Sequence, residues 1–211
     1  MKVDIYADVA CPWCYIGAVR FGRALQSWGE RDRVEVTYQP FQLDPNAPQQ
    51  AEPMMRHLTR RFGAQADAMV ARVKEIARTD GLVLDYERGL TVNTLQSHRL
   101  MHLALEEYGP ATQRALALRL YRAHFSEGLD VSDYDVLSTL AADVGMKEAL
   151  ARDYLLSGDD TRDISDQIDA ARAAGITAVP TFIFDDKYMI EGAQPVEGFV
   201  QAFEVIARET V

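Results

Sequence analysis

Asp8-Val9-Ala10-Cys11-Pro12-Trp13-Cys14-Tyr15-Ile16-Gly17 places two cysteines three positions apart, just behind a short alternating segment. In that segment Val3, Ile5 and Ala7 share one side and Lys2 and Asp4 the other, the period of a half-buried strand. Val19, Leu25 and Trp28 then recur at helical spacing, and Gly29 is a natural stop. The pair therefore falls at the first turn of a helix that leaves a strand.

That position has a chemical consequence. Unpaired N–H groups and the helix dipole favour negative charge at Cys11, which predicts a lowered thiol pKa there. A thiolate is the species that attacks a disulfide. Cys14, one turn on, is close enough to form a ring disulfide and release the mixed intermediate. Pro12 suits the first helical turn, where its missing N–H would have had no partner. Trp13 is expected to form an exposed aromatic flank. By this reading Cys11 is the exposed, acidic nucleophile and Cys14 is buried behind it.

A lone Cys-x-x-Cys is also half of a zinc site. His98 and His102 have the spacing to share a metal on one helix face, but Leu95, His98, His102 and Leu105 form one apolar stripe. Histidines on such a stripe belong more naturally to a core or an interdomain surface, so no metal is expected.

Further out, Val34 to Tyr38 reads as a second strand, and the proline-rich stretch from Pro40 to Pro53 as a linker. Helical patterns follow near 53–62, 65–79, 93–108, 111–127, 132–144 and 146–156, interrupted only by Leu82-Val83-Leu84. Ser132, with Asp135 three residues on, predicts a capped helix start. A helix near 160–174 carries Ile164, Ile168 and Ala171 on one face. Thr181–Phe184 and Lys187–Ile190, joined by Asp185-Asp186, read as a hairpin before a last helix from Pro195.

The 211 residues carry a formal charge of −10, which would repel nucleic-acid phosphates. No run is apolar for long enough to span a bilayer. Met1 to Asp8 contains no apolar h-region, so a cytoplasmic location is expected. Two cysteines do not make a disulfide scaffold at this length.

A second signal is Gly175-Ile176-Thr177-Ala178-Val179-Pro180-Thr181-Phe182, where Pro180 opens a strand, one of the few places a sheet tolerates proline. With these residues the chain resembles the DsbA-like branch of the thioredoxin superfamily, and most of all its FrnE-type members. CPWC after Asp8, Tyr15-Ile16-Gly17, Pro40-Phe41-Gln42-Leu43, Asn93-Thr94 with His98-Arg99-Leu100, Val179-Pro180-Thr181-Phe182 and Gly192-Ala193-Gln194 carry the resemblance across nearly the whole chain.

The resemblance implies an α/β thioredoxin-like fold (βαβ…αββα) made of residues 1–48 and 158–211, with an all-helical domain, 49–157, inserted. It implies a cis Pro180 facing Cys11 and a Val179 backbone available to an extended peptide. Asn93 and His98 are implied to look toward the cleft between the domains, and Pro12, Trp13, Val179 and Phe41 are expected with them to bind substrate. Trp13 stands where the periplasmic oxidants carry histidine, so strong oxidant behaviour is not expected.

Three functions compete. The first is a thiol–disulfide oxidoreductase or isomerase acting on protein or low-molecular-weight substrates. It needs no cofactor beyond the Cys11–Cys14 pair, with glutathione as a candidate co-substrate. The second is a glutathione-dependent isomerase or transferase, similar to 2-hydroxychromene-2-carboxylate isomerase and the kappa-class glutathione transferases. Those enzymes typically carry serine at the Cys11 position. The third is a non-catalytic binding or metal module. Retention of both cysteines favours the first. Neither nucleic acid nor membrane is an expected partner.

Overall fold

The computed structural model describes residues 1–29 and 33–209. Strand β1 (Lys2–Ala7) runs parallel to β2 (Glu35–Pro40), with helix α1 (Pro12–Trp28) connecting them. Helices α2 (Met54–Phe62), α3 (Ala66–Thr79), α4 (Leu95–Tyr108), α5 (Pro110–Arg122), α6 (Tyr134–Asp143), α7 (Glu148–Ser157) and α8 (Thr161–Ala173) follow. A two-residue strand β3 (Glu52–Pro53), just before α2, pairs antiparallel with β4 (Leu90–Thr91), which lies between α3 and α4. Strands β5 (Thr181–Phe184) and β6 (Tyr188–Glu191) then return to the first sheet, and α9 (Val196–Glu209) closes the chain. The main sheet has the order β2-β1-β5-β6, with β5 antiparallel to both neighbours.

The central strand is covered on both faces. Asp4, expected on a wet face, is buried. It accepts hydrogen bonds from Thr37 Oγ1 at 2.5 Å and Gln39 Nε2 at 2.8 Å and pairs with Lys2 at 2.8 Å, which offsets its desolvation. On one side, Phe21 of α1 stacks on Phe182 of β5 at 5.2 Å and meets Phe199 and Phe203 of α9 edge-on. Each such ring pair contributes roughly 0.5–1.5 kcal/mol beyond its area. Val19 and Trp28, which recur at helical spacing with Leu25, are only half-buried. The apolar face of α1 is instead a wider band through Ile16, Phe21, Ala24 and Leu25.

Gly29 ends α1 in the left-handed region at φ 79°. Asp185 and Asp186 adopt φ 49° and 55°, the left-handed pair of a tight turn that Lys187 N closes onto the Phe184 carbonyl, within a three-residue connection between Phe184 and its partner Tyr188. Three local expectations shift. The cap of α6 is Asp133, whose carboxylate accepts from the Asp135 and Val136 N–H groups, each at 2.9 Å. Ser132 donates to Asp130 instead. The continuous helix expected over 111–127 stops being α-helical at Arg122 and closes with a π turn, Ala123–Glu127. The end of the proline-rich linker joins the small β3–β4 ribbon.

One tie links α1 to the end of α3. Asp80 is buried at the C-cap of α3 and receives Arg20 Nε at 2.8 Å and Arg23 Nη1 at 3.4 Å; Arg23 Nη2 also donates to its carbonyl at 2.7 Å. Arg20 Nη1 reaches the Ala193 carbonyl at 2.9 Å, so one side chain joins the cysteine-bearing helix to α3 and to the loop after β6. Removing one partner of a buried pair strands the other's charge. Asp80→Ala is therefore expected to cost about 3 kcal/mol, the low end for a buried pair because Arg23 is half exposed, read as a lower urea midpoint with an unchanged slope.

Candidate active site

Cys11 is the N-cap of α1. Its backbone is extended (φ −96°, ψ 112°), and its sulfur accepts the N–H of Cys14 at 3.4 Å, where a serine or aspartate oxygen would ordinarily sit. Cys14 N and Tyr15 N also reach the Cys11 carbonyl. Negative charge on this sulfur would thus meet an N–H at the positive end of the helix. Across from it, Cys11 Sγ donates to the Val179 carbonyl at 3.6 Å, and the Val179–Pro180 peptide is cis.

Gly17 makes that approach possible. A Cβ on it would lie 3.0 Å from Pro180 Cγ, so only a bare backbone lets α1 come this near the proline ring.

The two sulfurs differ less in exposure than their positions in the sequence suggest. Cys11 is 2% exposed and Cys14 1%. They differ in what they face: Cys11, Pro12, Trp13 and Val179 line a cavity of about 500 Å³, and Cys14 lies behind them. Trp13 is half-buried in that wall rather than projecting as a free flank. Burial, followed by the neighbouring Cys11 sulfur, pushes the Cys14 thiol well up. Alkylation of the reduced protein at mildly acidic pH is expected to label Cys11 first. Preferential labelling of Cys14 would reverse the roles.

Three residues expected to bind substrate stand behind the cleft wall. Phe41 is buried under the Arg172 guanidinium, 4.7 Å above its ring. Asn93 is buried and uses its side chain to accept from Gln42 Nε2 and Leu95 N and to donate to the Pro45 carbonyl. His98 is buried with Nε2 3.5 Å from Asp8 Oδ1. The Asn93 side chain ties the 42–45 segment to the start of α4, while His98 Nε2 is left without a hydrogen-bond partner. His102 points elsewhere, its Nε2 3.8 Å from Asp160, so the two histidines do not converge on the cysteines. Among the described residues no group of three His, Cys, Asp or Glu side chains is placed to hold a metal.

Sequence reasoning missed three wall residues. Asp8 is buried beside the pair and accepts from Leu43 N at 2.7 Å, Thr94 Oγ1 at 2.8 Å and Ala10 N at 3.2 Å. Tyr86 and His124 face the same cavity, and burial raises the Tyr86 hydroxyl pKa. Asp8 had a signal, an aspartate at the end of the strand feeding CPWC. Tyr86 and His124 come from distant segments that only the fold brings together. A second cavity, about 510 Å³ and lined by Lys74, Arg78 and Val83 among others, lies on the other side of α3 and holds neither cysteine.

Residues 2–204 match the DSBA-like thioredoxin domain model. The chain belongs to the DsbA-like thioredoxin family. Among solved structures this DsbA-like chain is similar to one described as a probable DsbA oxidoreductase from Streptomyces coelicolor. The two are 34% identical, with 96% of this chain and 88% of that one covered and a TM-score of 0.85. It is 28% identical to the uncharacterised protein YwbO of Bacillus subtilis (strain 168), over 96% of this chain and 95% of that protein. A 2-hydroxychromene-2-carboxylate isomerase, 17% identical, shares the fold at a TM-score of 0.72, with 100% of this chain and 98% of that one covered. No described helix is long and apolar enough to cross a membrane.

Proposed function

We propose that the chain is a dithiol–disulfide oxidoreductase or isomerase of the FrnE type, with Cys11 as nucleophile and Cys14 as resolving thiol. One observation carries this reading. Cys11 sits on the wall of a cleft, capping α1 and facing Val179, while Cys14 waits behind it at the same helix start. In the reductive direction the Cys11 thiolate attacks one sulfur of a substrate disulfide. The substrate S–S bond breaks, a Cys11 mixed disulfide forms, and one substrate half leaves as a thiolate that takes a proton from solvent. Cys14, having lost its proton, attacks Cys11 and expels the second half. Two electrons pass to the substrate and the Cys11–Cys14 pair becomes a disulfide; oxidation runs the same steps backwards.

Protein or low-molecular-weight disulfides and thiols are the substrates in this reading, the cytoplasm is the setting, and no cofactor beyond the cysteines is required. Glutathione is one thiol that could recharge the pair. A glutathione-dependent isomerase on the same scaffold would have no use for Cys14. The deciding experiment follows exchange between the reduced protein and a fluorescent disulfide-bonded peptide. Cys11→Ser is expected to bring the rate to the uncatalysed background, and undiminished exchange would sink the assignment.

A further inference from the structure

The two edges of the main sheet are finished differently. At the β2 edge the Gln113 side chain of α5 closes on a single residue. Its Oε1 accepts the Tyr38 N–H at 2.8 Å and its Nε2 donates to the Tyr38 carbonyl at 2.9 Å, so an amide stands in for a neighbouring strand. The opposite edge, β6, carries no such bidentate cover among the described residues.

Register decides what β6 presents. Gly192 N–H donates to the Pro180 carbonyl at 2.7 Å, and hydrogen-bonded pairs alternate along an antiparallel ladder. Phe182–Ile190 and Phe184–Tyr188 are therefore the bonded pairs, and Met189 and Glu191 turn their N–H and C=O groups away from β5. Two neighbouring groups are already used. Lys187 N–H closes the turn onto the Phe184 carbonyl at 3.0 Å, and the Glu191 carbonyl accepts from Gln194 Nε2 at 2.7 Å. What remains is the Lys187 carbonyl, both Met189 groups and the Glu191 N–H.

That remainder complements itself. With a second β6 laid antiparallel and Met189 opposite Met189, each Met189 N–H meets the other Met189 carbonyl. Each Glu191 N–H meets the other copy's Lys187 carbonyl. Four bonds form, and none of those groups is left over. The same two-fold brings exposed Lys187 and exposed Glu191, at opposite ends of the strand, side by side across the join, an attractive pair made twice.

The edge is also apolar where a monomer would guard it. Lone edges are usually protected by a charge or a proline in mid-strand, whereas the middle of β6 is Met189, 52% exposed. Glu209 of α9 meets the Tyr188 hydroxyl and lies 3.8 Å from Lys187, which sets that side of the helix along β6. Val205, one turn back on the same side, is 47% exposed. No β6 residue lines the cleft that holds Cys11, so an extended substrate on this edge would sit away from the reacting sulfur.

We propose that the chain forms a homodimer by antiparallel β6–β6 pairing about Met189, which joins the two four-stranded sheets into one. The Met189 side chains meet on one face of the joined sheet, and the Val205 sides of the two α9 helices approach on the other.

Sedimentation velocity over a concentration series tests this, with wild type expected to reach twice the 23.6 kDa chain mass. Glu191→Lys sets lysine against lysine at both ends of the join, and Lys187→Glu sets glutamate against glutamate. Each should weaken the dimer by about tenfold. The double variant Lys187→Glu/Glu191→Lys rebuilds both pairs and should recover most of that loss. In wild type, amide exchange at Met189 and Glu191 should slow as concentration rises, while Ile190, already bonded to β5, stays unchanged. A monomer at every concentration would overturn the inference. So would a dimer indifferent to the single reversals, a loss that the double variant fails to rescue, or Met189 exchange that ignores concentration.

Discussion

Replacing Cys14 by serine is expected to leave attack by Cys11 intact and to stop the reaction at the mixed disulfide. Position 14 is 1% exposed and off the cavity wall, so the smaller hydroxyl should change little that a substrate meets. The Cys14 N–H that caps onto Cys11 Sγ belongs to the backbone and survives the substitution. What disappears is the intramolecular exit, because a serine hydroxyl cannot displace a thiolate from a disulfide under these conditions. Intact-protein mass spectrometry should show a gain of one substrate half, removed by dithiothreitol, with turnover near background. Sustained turnover without an adduct would mean that resolution does not pass through Cys14. The paired variant Cys11→Ser should acquire no adduct, since the remaining thiol lies behind the wall and its pKa is raised by burial.

The framework of this site was legible in the sequence because its parts are local. A strand that alternates, a cysteine pair at the next helix start and a proline at the head of a later strand each announce themselves within about ten residues. β1, α1, β5 and the cis Val179–Pro180 bond stand where those signals place them. The cavity was much less legible, because its wall is assembled from segments far apart in the chain. Asn93 and His98 are polar residues near a cleft, and polarity alone does not say which way they turn. Asn93 is consumed by the buried network that includes Gln42 and Thr94, and His98 is buried with its Nε2 3.5 Å from Asp8 and without a hydrogen-bond partner.

His124 was invisible for a different reason. The apolar pattern through 111–127 reads as one helix, and nothing in composition marks where a single extra residue loosens the turn into a π geometry. His124 and Phe125, inside that π turn, line the cavity. The expectation of an exposed Cys11 failed similarly. The helix-start position sets its bonding but not its cover, which comes from Val179 and the α2–α3 side of the cleft.

Asp8→Asn is expected to weaken the fold while making Cys14 easier to ionise. Burial by itself would raise the Asp8 pKa. The His98 ring at 3.5 Å, the Leu43 N–H and the Thr94 hydroxyl together outweigh it and hold the carboxyl below its ordinary range. Asp8 is therefore an anion throughout the neutral range. Burial and then the Cys11 sulfur hold the Cys14 thiol up, the Asp8 backbone lowers it, and the Asp8 charge adds the last and smallest upward push. Asparagine removes the charge and keeps one acceptor oxygen, so Leu43 N–H or the pair Thr94 and Ala10 must lose a partner. One such loss costs roughly 1–3 kcal/mol. Because the folded pKa of Asp8 is depressed, its ionic stabilisation is present above the unfolded value near 3.9 and is lost as pH falls through the folded one. The gap in urea midpoint between wild type and Asp8→Asn should therefore hold steady from about pH 5 to 8 and narrow below about pH 4. Over the same series, thiolate absorbance in a Cys11→Ser background should titrate at lower pH with asparagine at position 8. A midpoint for Cys14 that stays put or rises would show that Asp8 does not govern the resolving thiol.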